Sequence, residues 1–252
     1  MFFDIETSYC QGWFWRPAFN TNISYDQILK DSAIICICWK WEGSKRVNHL
    51  EWNKGCDKAM MNKFFKEIEE ADEVVGHNGD RFDLKWIRTR FLVHGYKSMP
   101  EIKSIDTLKI SRAKFNFPSN RLDAIGKYLG FGGKKDTGGI QLWHDIIQKN
   151  SKKAMKDMVD YCKRDVELLE KIYLKVEGFS KPKTHIGSFM GADNCSCPYC
   201  GSEKTHYKQS RVSSNGTIKC QMKCYECDKY FMVSLKAYNT RTKNKKSRRG
   251  RI

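Results

Sequence analysis

The sequence predicts an α/β fold: a mixed sheet of about five strands flanked by helices, followed by a small cysteine-rich domain and a basic tail. Short apolar runs alternate with segments of helical periodicity in the first part of the chain, as is typical of such a sheet. Two Cys-x₂-Cys pairs follow, and then a C-terminus rich in lysine and arginine. We therefore expect an α/β domain at 1–178, a linker at 179–193, the cysteine-rich domain at 194–235 and a disordered tail at 236–252.

The elements of the α/β domain are predicted one after another from their periodicity. Residues 2–5 read as a mostly apolar first strand. Two segments at 34–41 and 46–52 flank a Glu-Gly-Ser turn, which predicts an antiparallel pair. Next come an amphipathic helix, a short strand and two further helices, at 57–70, 74–76, 84–93 and 122–130.

Composition limits the class of protein. The 252 residues can form one domain of ordinary size plus a small one, and 40% hydrophobic residues suffice for a packed core. The longest apolar run, 33–39, is too short to span a bilayer, and the N-terminus has no signal-peptide pattern. We therefore expect a cytoplasmic protein, bacterial or in the host cell of a virus, with no membrane partner.

The formal net charge of +17 is concentrated near the C-terminus. Residues 181–252 carry 16 basic and 4 acidic side chains, a net charge of +12, against +5 for residues 1–180. Basic segments of this kind bind polyanions by releasing condensed counterions. Nucleic acid is the expected partner, with Arg248 and Arg249 as candidate contacts. The alternative is a solvated tail that only aids solubility.

Two acidic residues lie in the first predicted strand, in the motif Phe3-Asp4-Ile5-Glu6-Thr7. Because side chains alternate between the two faces of a strand, Asp4 and Glu6 point the same way. Two carboxylates on one side of a core strand are costly unless a cation lies between them. This motif therefore indicates a cation site.

Two further acidic residues lie in separate motifs. Asp83 ends the segment 76–83 and begins a predicted helix, which it could cap while also serving as a ligand. Tyr161 and Asp165 are spaced i, i+4, so they share one helical face. Oxygen ligands suit Mg²⁺ or Mn²⁺, and two such ions favour in-line displacement at a phosphodiester. A phenol is a weak base near pH 7, so Tyr161 is expected to orient the attacking water.

The three motifs resemble those of DnaQ-like 3′–5′ exonucleases, the DEDD group in its tyrosine version. These enzymes have a ribonuclease-H-like fold and include the proofreading domains of family B DNA polymerases. The resemblance covers residues 1–178. It implies that Asp4, Glu6, Asp83 and Asp165 bind two Mg²⁺ or Mn²⁺ ions and that Tyr161 positions the nucleophile. It also implies hydrolysis of single-stranded DNA from the 3′ end to 5′-mononucleotides, in replication or repair.

The resemblance also suggests residues around the substrate. Thr7, Asn78 and Asn120 are expected to contact it, although Asn78 could instead brace its loop. His77 is expected to be structural, because the tyrosine version needs no catalytic histidine. Asp106 could brace a metal-bound group or cap a helix.

The cysteine-rich domain contains two knuckle motifs, Cys197-x₂-Cys200 and Cys224-x₂-Cys227, whose spacing suits one tetrahedral zinc ion. Between them, two predicted strands flank a Ser-Asn-Gly turn, and the whole resembles a zinc ribbon. The alternatives are a disulfide cluster or unrelated thiols, and Cys195 could replace Cys197 as a ligand. So small a domain cannot bury enough core without metal.

Two rival functions stay open on the sequence alone. The chain could be an RNA 3′–5′ exonuclease or a structure-specific trimming enzyme, since no residue in it is assigned to the 2′-hydroxyl. It could also be a catalytically inactive adaptor that binds nucleic acid through its ribbon and tail. A replication or repair protein is the expected protein partner in either case.

Overall fold

The computed structural model describes residues 1–16, 23–132 and 139–249, and only the backbone of 245–249. The chain divides into two compact units, Met1–Leu174 and Lys175–Ile252. Among the described residues, no helix is both long enough and apolar enough to cross a membrane.

The first unit contains seven strands, six α-helices and one 3-10 helix (Tyr25–Gln27) within its described residues, and its last α-helix ends two residues beyond it. The strands are β1 (Phe2–Thr7), β2 (Gln11–Gly12), β3 (Ile28–Lys30), β4 (Ile34–Lys40), β5 (Asn48–Glu51), β6 (Glu73–Gly76) and β7 (Lys103–Asp106). The helices are α1 (Lys58–Glu69), α2 (Asp83–Val93), α3 (Thr107–Lys114), α4 (Leu122–Tyr128), α5 (Ile140–Ile147) and α6 (Lys152–Val176). The predicted strands and helices are present, with ends shifted by one or two residues, as is usual for such boundaries.

Five of these strands form a mixed sheet in the order β5-β4-β1-β6-β7. The β4–β5 and β1–β4 pairs are antiparallel, and the β1–β6 and β6–β7 pairs are parallel. Residues 34–39 of β4 are all buried, which explains the continuous apolar run in the sequence. The prediction of a mixed five-stranded sheet flanked by helices is confirmed.

The register of β1 determines which side chains share a face of the sheet. Asp4 pairs with Cys38 and Glu6 with Cys36 on β4. The alternate residues, Phe3 and Ile5, are buried in the main apolar core. The strand therefore carries its two partly buried acids on one face, while Phe3 and Ile5 on the other face hold it in the core.

A buried acid links three elements of this unit. Asp57 precedes α1 and makes no capping hydrogen bond there. Its carboxylate instead accepts hydrogen bonds from Arg90 Nε at 2.6 Å, Arg90 Nη2 at 2.7 Å and Ile34 N at 3.1 Å. His94 Nε2 lies 2.7 Å from Asp57 Oδ1. These contacts tie the start of α1 to β4 and to the end of α2.

The second unit contains a three-stranded antiparallel sheet in the order β10-β9-β8. Its elements are α7 (Ile186–Phe189), β8 (Thr205–Val212), β9 (Ile218–Cys224), β10 (Tyr230–Ser234) and α8 (Leu235–Arg249). The predicted turn joins β8 to β9, and Gly216 takes the left-handed φ of +77° that this turn requires. The expected linker contains α7, whose Ile186 N donates to Pro198 O at 3.1 Å.

The expectation of a disordered tail is wrong for residues 236–249, because α8 continues to Arg249. The helix begins where Ser234 Oγ accepts a hydrogen bond from Ala237 N at 3.2 Å. Arg241 is buried, and its guanidinium donates to the carbonyls of Cys195 at 2.7 Å and Glu203 at 2.6 Å. Composition indicated a solvated segment, and these tertiary contacts override it. Residues 250–252 lie outside the described part of the chain.

Candidate metal centres

Three carboxylates from distant parts of the chain meet at one point of the first unit. Asp4 and Glu6 of β1 and Asp165 of α6 each place an oxygen within 4.8 Å of the other two. Asp165 is buried, and the two strand acids are partly buried. Like charges this close and this shielded repel strongly unless a cation lies among them. The all-oxygen donor set fits Mg²⁺ or Mn²⁺.

Asp83 lies beside this group but is not one of its members. It is the first residue of α2 rather than its cap, and its Oδ1 accepts a hydrogen bond from Ile5 N at 3.1 Å. Ile5 lies between Asp4 and Glu6, so this bond holds Asp83 against the acidic segment of β1. Burial raises the pKa of Asp83 to about 7, and a neighbouring cation would favour its ionised form.

Cys162 supports the acidic group from α6, which the sequence analysis did not anticipate. Its Sγ donates to Asp4 O at 3.4 Å and lies 3.6 Å from Asp4 Oδ2. Burial raises the pKa of the Cys162 thiol, so it remains a neutral donor. Its position in the sequence could have indicated this role, because a residue three positions before Asp165 lies on nearly the same face of the helix.

Tyr161 lies one helical turn before Asp165 on α6 and is partly exposed. It belongs to the same helix that carries Asp165 to the strand acids. The i, i+4 relation predicted from the sequence is therefore present, because 25 consecutive residues form one helix.

The loop after β6 is held by hydrogen bonds from the next strand and helix. Asn78 has a left-handed φ of +68°, and its N–H donates to Asp106 Oδ1 at 2.9 Å. The same Oδ1 accepts from Leu108 N at 3.0 Å, so Asp106 both caps α3 and braces the loop. His77 uses both ring nitrogens structurally, at 2.9 Å from Thr107 Oγ1 and 2.9 Å from the backbone oxygen of Asn120.

The other expected substrate contacts have different surroundings. Thr7 ends β1 and is partly exposed, and its carbonyl accepts a hydrogen bond from Trp143 Nε1 at 3.0 Å. Asn120 Oδ1 is shielded and has no hydrogen-bond partner among the described residues. The side chains of Arg248 and Arg249 lie outside the described part of the structure.

A second cluster in the other unit consists of four thiols. The Sγ atoms of Cys197, Cys200, Cys224 and Cys227 all lie within 4.8 Å of one another. Two of the sulfur–sulfur distances, Cys197–Cys227 and Cys200–Cys224, are 3.6 Å. A tetrahedron with Zn–S bonds of about 2.3 Å has sulfur–sulfur edges of about 3.8 Å, so the cluster has the size of a zinc site.

Cys195 and Cys220 are not part of the four-thiol cluster. Both are buried in the small apolar core of the unit. The carbonyl of Cys195 accepts from Thr205 Oγ1 at 2.7 Å, in addition to its bond from Arg241. Cys197, rather than Cys195, therefore lies with the other three knuckle cysteines.

Comparisons with known proteins agree with this architecture. Residues 27–177, more than half of the chain, match a family model described as the RNase_H superfamily. A stretch of 75 residues is 41% identical to the DNA polymerase III PolC-type of Ureaplasma parvum serovar 3. That match covers 30% of this chain and 5% of the polymerase.

The fold is also similar to that of the family B DNA polymerase from the hyperthermophilic archaeon Pyrobaculum calidifontis, with a TM-score of 0.54 and 17% identity. This match covers 71% of the present chain and 24% of the polymerase, and at this identity it shows the fold alone. The chain thus corresponds to a minor part of either polymerase. With the five-stranded mixed sheet and the family match together, the chain belongs to the RNase_H superfamily.

Proposed function

We propose that this protein is a two-metal-ion 3′–5′ exonuclease that hydrolyses single-stranded DNA to 5′-mononucleotides in replication or repair. The observation that carries the proposal is the meeting of Asp4, Glu6 and Asp165 within 4.8 Å. A strand and a helix bring these acids together although about 160 residues separate them in the sequence. Such a convergence of shielded like charges is a candidate functional site. The DNA polymerases that the chain resembles make DNA the preferred substrate.

Asp4, Glu6 and Asp165 are proposed to hold the catalytic cations, with Asp83 completing the set. When bound, divalent cations at such a site stabilise charge on the attacking and leaving oxygens of the phosphodiester. The protein contributes the fixed placement of its carboxylates. The Ile5 N–H donates to the Asp83 carboxylate and fixes its orientation, and the Cys162 thiol donates to the backbone carbonyl of Asp4, which holds this part of β1 against α6.

Tyr161 is proposed to orient the attacking water through its hydroxyl. A phenol hydroxyl can both donate and accept hydrogen bonds, which suits it to hold a water molecule in a fixed position. The four knuckle cysteines are proposed to bind one structural zinc ion. That ion would hold the second unit together and take no part in the hydrolysis.

The test compares wild-type protein with Asp165→Asn on 5′-labelled single-stranded DNA, with Mg²⁺ or Mn²⁺ added. We expect wild type to shorten the strand from its 3′ end. The variant should be slower by about three orders of magnitude, a loss of about 4 kcal/mol of transition-state stabilisation. DNA binding should be largely retained. Asp157→Asn is the matched control, because Asp157 is an exposed acid of the same helix.

Each other result has a definite meaning. If Asp165→Asn cleaves at the wild-type rate, the assignment of the acidic group is wrong. If wild type degrades labelled RNA and spares DNA, the protein is an RNA exonuclease. Binding of both nucleic acids without cleavage of either would indicate an inactive adaptor. The metal-free control omits divalent ions instead of adding EDTA, because a chelator would also remove zinc from the cysteine cluster.

A further inference from the structure

One face of the three-stranded sheet in the second unit is open to solvent, and its residues form three cross-strand rows. His206, Lys223 and Tyr230 form the first row. Gln209, Gln221 and Met232 form the second, and Arg211, Lys219 and Ser234 form the third. We call these nine residues, together with Tyr225 at the edge, the ribbon face.

The central part of the opposite face of the sheet is covered by the chain itself, whereas Val212 and Ile218 near the β8–β9 turn are exposed. Cys220, Met222 and Val233 are buried there, and Tyr238 of α8 packs against them. On the ribbon face, by contrast, Tyr230 is 50% exposed and Met232 is 42% exposed. Exposed large side chains that lie next to one another on a sheet face are typical of a binding surface.

The aromatic residues of the ribbon face are already arranged for stacking. The rings of Tyr225 and His206 are 4.2 Å apart at an interplanar angle of 27°, and Tyr225 is still 65% exposed. Desolvation and the nearby Lys208 and Lys223 lower the pKa of His206, so its ring is neutral at neutral pH. Tyr230 offers a second exposed ring. Two rigid rings on one face can each receive an unpaired base at little cost in side-chain entropy.

The basic residues of the ribbon face point to an anionic ligand. Arg211 and Lys219 are exposed and lie directly opposite each other on β8 and β9. Like charges in a cross-strand pair destabilise a sheet, and an anion bound between them would remove that repulsion. The acidic Asp228 is already paired with Lys223 at 2.6 Å. Arg211 Nη2 lies 2.7 Å from the side-chain amide of Gln209, a neutral partner that leaves the guanidinium charge uncompensated, so Arg211 and Lys219 can together attract a phosphate group.

We propose that the ribbon face binds single-stranded nucleic acid, with bases stacked on Tyr225 and Tyr230 and the phosphate backbone held by Arg211 and Lys219. Bases are accessible for stacking only when unpaired, so the surface selects single strands over duplexes. The side-chain amides of Gln209 and Gln221 lie 2.7 Å apart between the two groups, where they can also reach a base edge. The proposal rests on the proposed function for the identity of the strand, which is the substrate of the acidic site.

The first experiment measures binding of the full-length protein to fluorescein-labelled oligothymidylate by fluorescence anisotropy, without added Mg²⁺ or Mn²⁺. The double variant Tyr225→Ala/Tyr230→Ala should bind about 10- to 100-fold more weakly, with an unchanged salt dependence. Tyr225→Phe/Tyr230→Phe should bind like wild type, because the rings remain. Phe189→Ala is the control, since Phe189 is 71% exposed in the same unit but lies outside the ribbon face.

The second experiment separates charge from stacking. Arg211→Gln/Lys219→Gln should reduce the slope of log K against log salt concentration by about 1 to 2. The charge-matched control is Lys45→Gln/Arg46→Gln, two exposed residues of the first unit, which should keep the wild-type slope. Zinc content and far-UV circular dichroism confirm that every variant retains its fold.

Two results would overturn the proposal: wild-type affinity in the double alanine variant, or an equal loss of affinity for duplex DNA. Both are independent of hydrolysis, because binding is measured without the catalytic ions. If wild type does not cleave DNA but the double alanine variant still loses affinity for single strands, the nuclease proposal fails and the proposal for the ribbon face is supported. If the double alanine variant cleaves DNA and binds it with wild-type affinity, only the proposal for the ribbon face is rejected.

Discussion

Asp57 is a fully buried acid whose charge is balanced by its neighbours. Burial would raise the pKa of this carboxyl, but the hydrogen bonds from Arg90, His94 and the Ile34 N–H outweigh it and hold the pKa below its usual value. The unfolded chain has an ordinary aspartate pKa near 3.9. The ion pair therefore adds stability above that pH, and this contribution is lost as the pH falls through the lower pKa of the folded state.

We predict that Asp57→Asn lowers the free energy of unfolding by about 3 kcal/mol at pH 7, because it leaves the partly buried Arg90 charge without its partner. The difference from wild type should shrink as the pH falls below about 4. Urea titrations followed by tryptophan fluorescence measure it, since all seven tryptophans precede residue 175. Asp31→Asn, an exposed acid, should change stability by less than about 0.5 kcal/mol. A pH-independent difference would refute the ion-pair explanation.

Sequence spacing predicted those relations in the candidate site that lie within a single strand or a single helix. The period of a strand relates Asp4 to Glu6, and the period of a helix relates Tyr161 to Asp165. The proximity of Asp4 and Glu6 to Asp165 is a tertiary contact, and sequence spacing cannot predict it. For the same reason the bond from Ile5 N to Asp83 was not predictable, since no periodicity links two residues 78 positions apart.

Among the strands and helices, those with a clear pattern of buried apolar residues were predicted from the sequence, and α8, which lacks such a pattern, was not. β4 and α1 were predictable because each displays its burial pattern in its own residues. α8 displays none: it is highly polar, and contacts such as that of Arg241 with Cys195 hold it in place. The expectation of disorder therefore failed where tertiary contacts outweigh composition.

The second unit depends on its cysteine cluster, because its apolar core is very small. Apart from cysteines, the buried apolar residues of this core are Met222, Phe231 and Val233. Such a core contributes too little free energy to order a unit of this length without a metal ion. A metal ion bound by the four thiols would supply the missing cross-link.

We therefore predict one zinc ion per chain and loss of the second unit when it is removed. Cys224→Ser should release zinc and reduce the β-sheet signal in far-UV circular dichroism, while the tryptophan emission of the first unit stays unchanged. Cys10→Ser is the control, because Cys10 is exposed and outside the cluster. Metal analysis gives the stoichiometry. A zinc-free protein with an intact sheet signal would contradict the prediction.

At the scale of the whole molecule, charge and chemistry are divided between the two units. Residues 181–252 carry a net charge of +12, whereas the acidic group lies in the first unit. The first unit therefore supplies the candidate chemistry, and the second supplies most of the attraction for a polyanion. The unequal distribution of charge could be predicted from the sequence, because the net charge of a segment is the sum over its residues and does not depend on how they pack.

The division predicts how a protein truncated after Gly178 behaves. It keeps all of α6, and with it Tyr161 and Asp165, so kcat for single-stranded DNA should stay within about twofold of the full-length value. KM should rise at least about tenfold, and the dependence of KM on salt should flatten, because fewer phosphates are neutralised. Steady-state kinetics at several salt concentrations measure both constants. An unchanged KM would show that the second unit does not contribute to substrate binding. A large fall in kcat would instead place part of the second unit at the chemical step, because binding that is equal in the ground and transition states changes KM and leaves kcat unaltered.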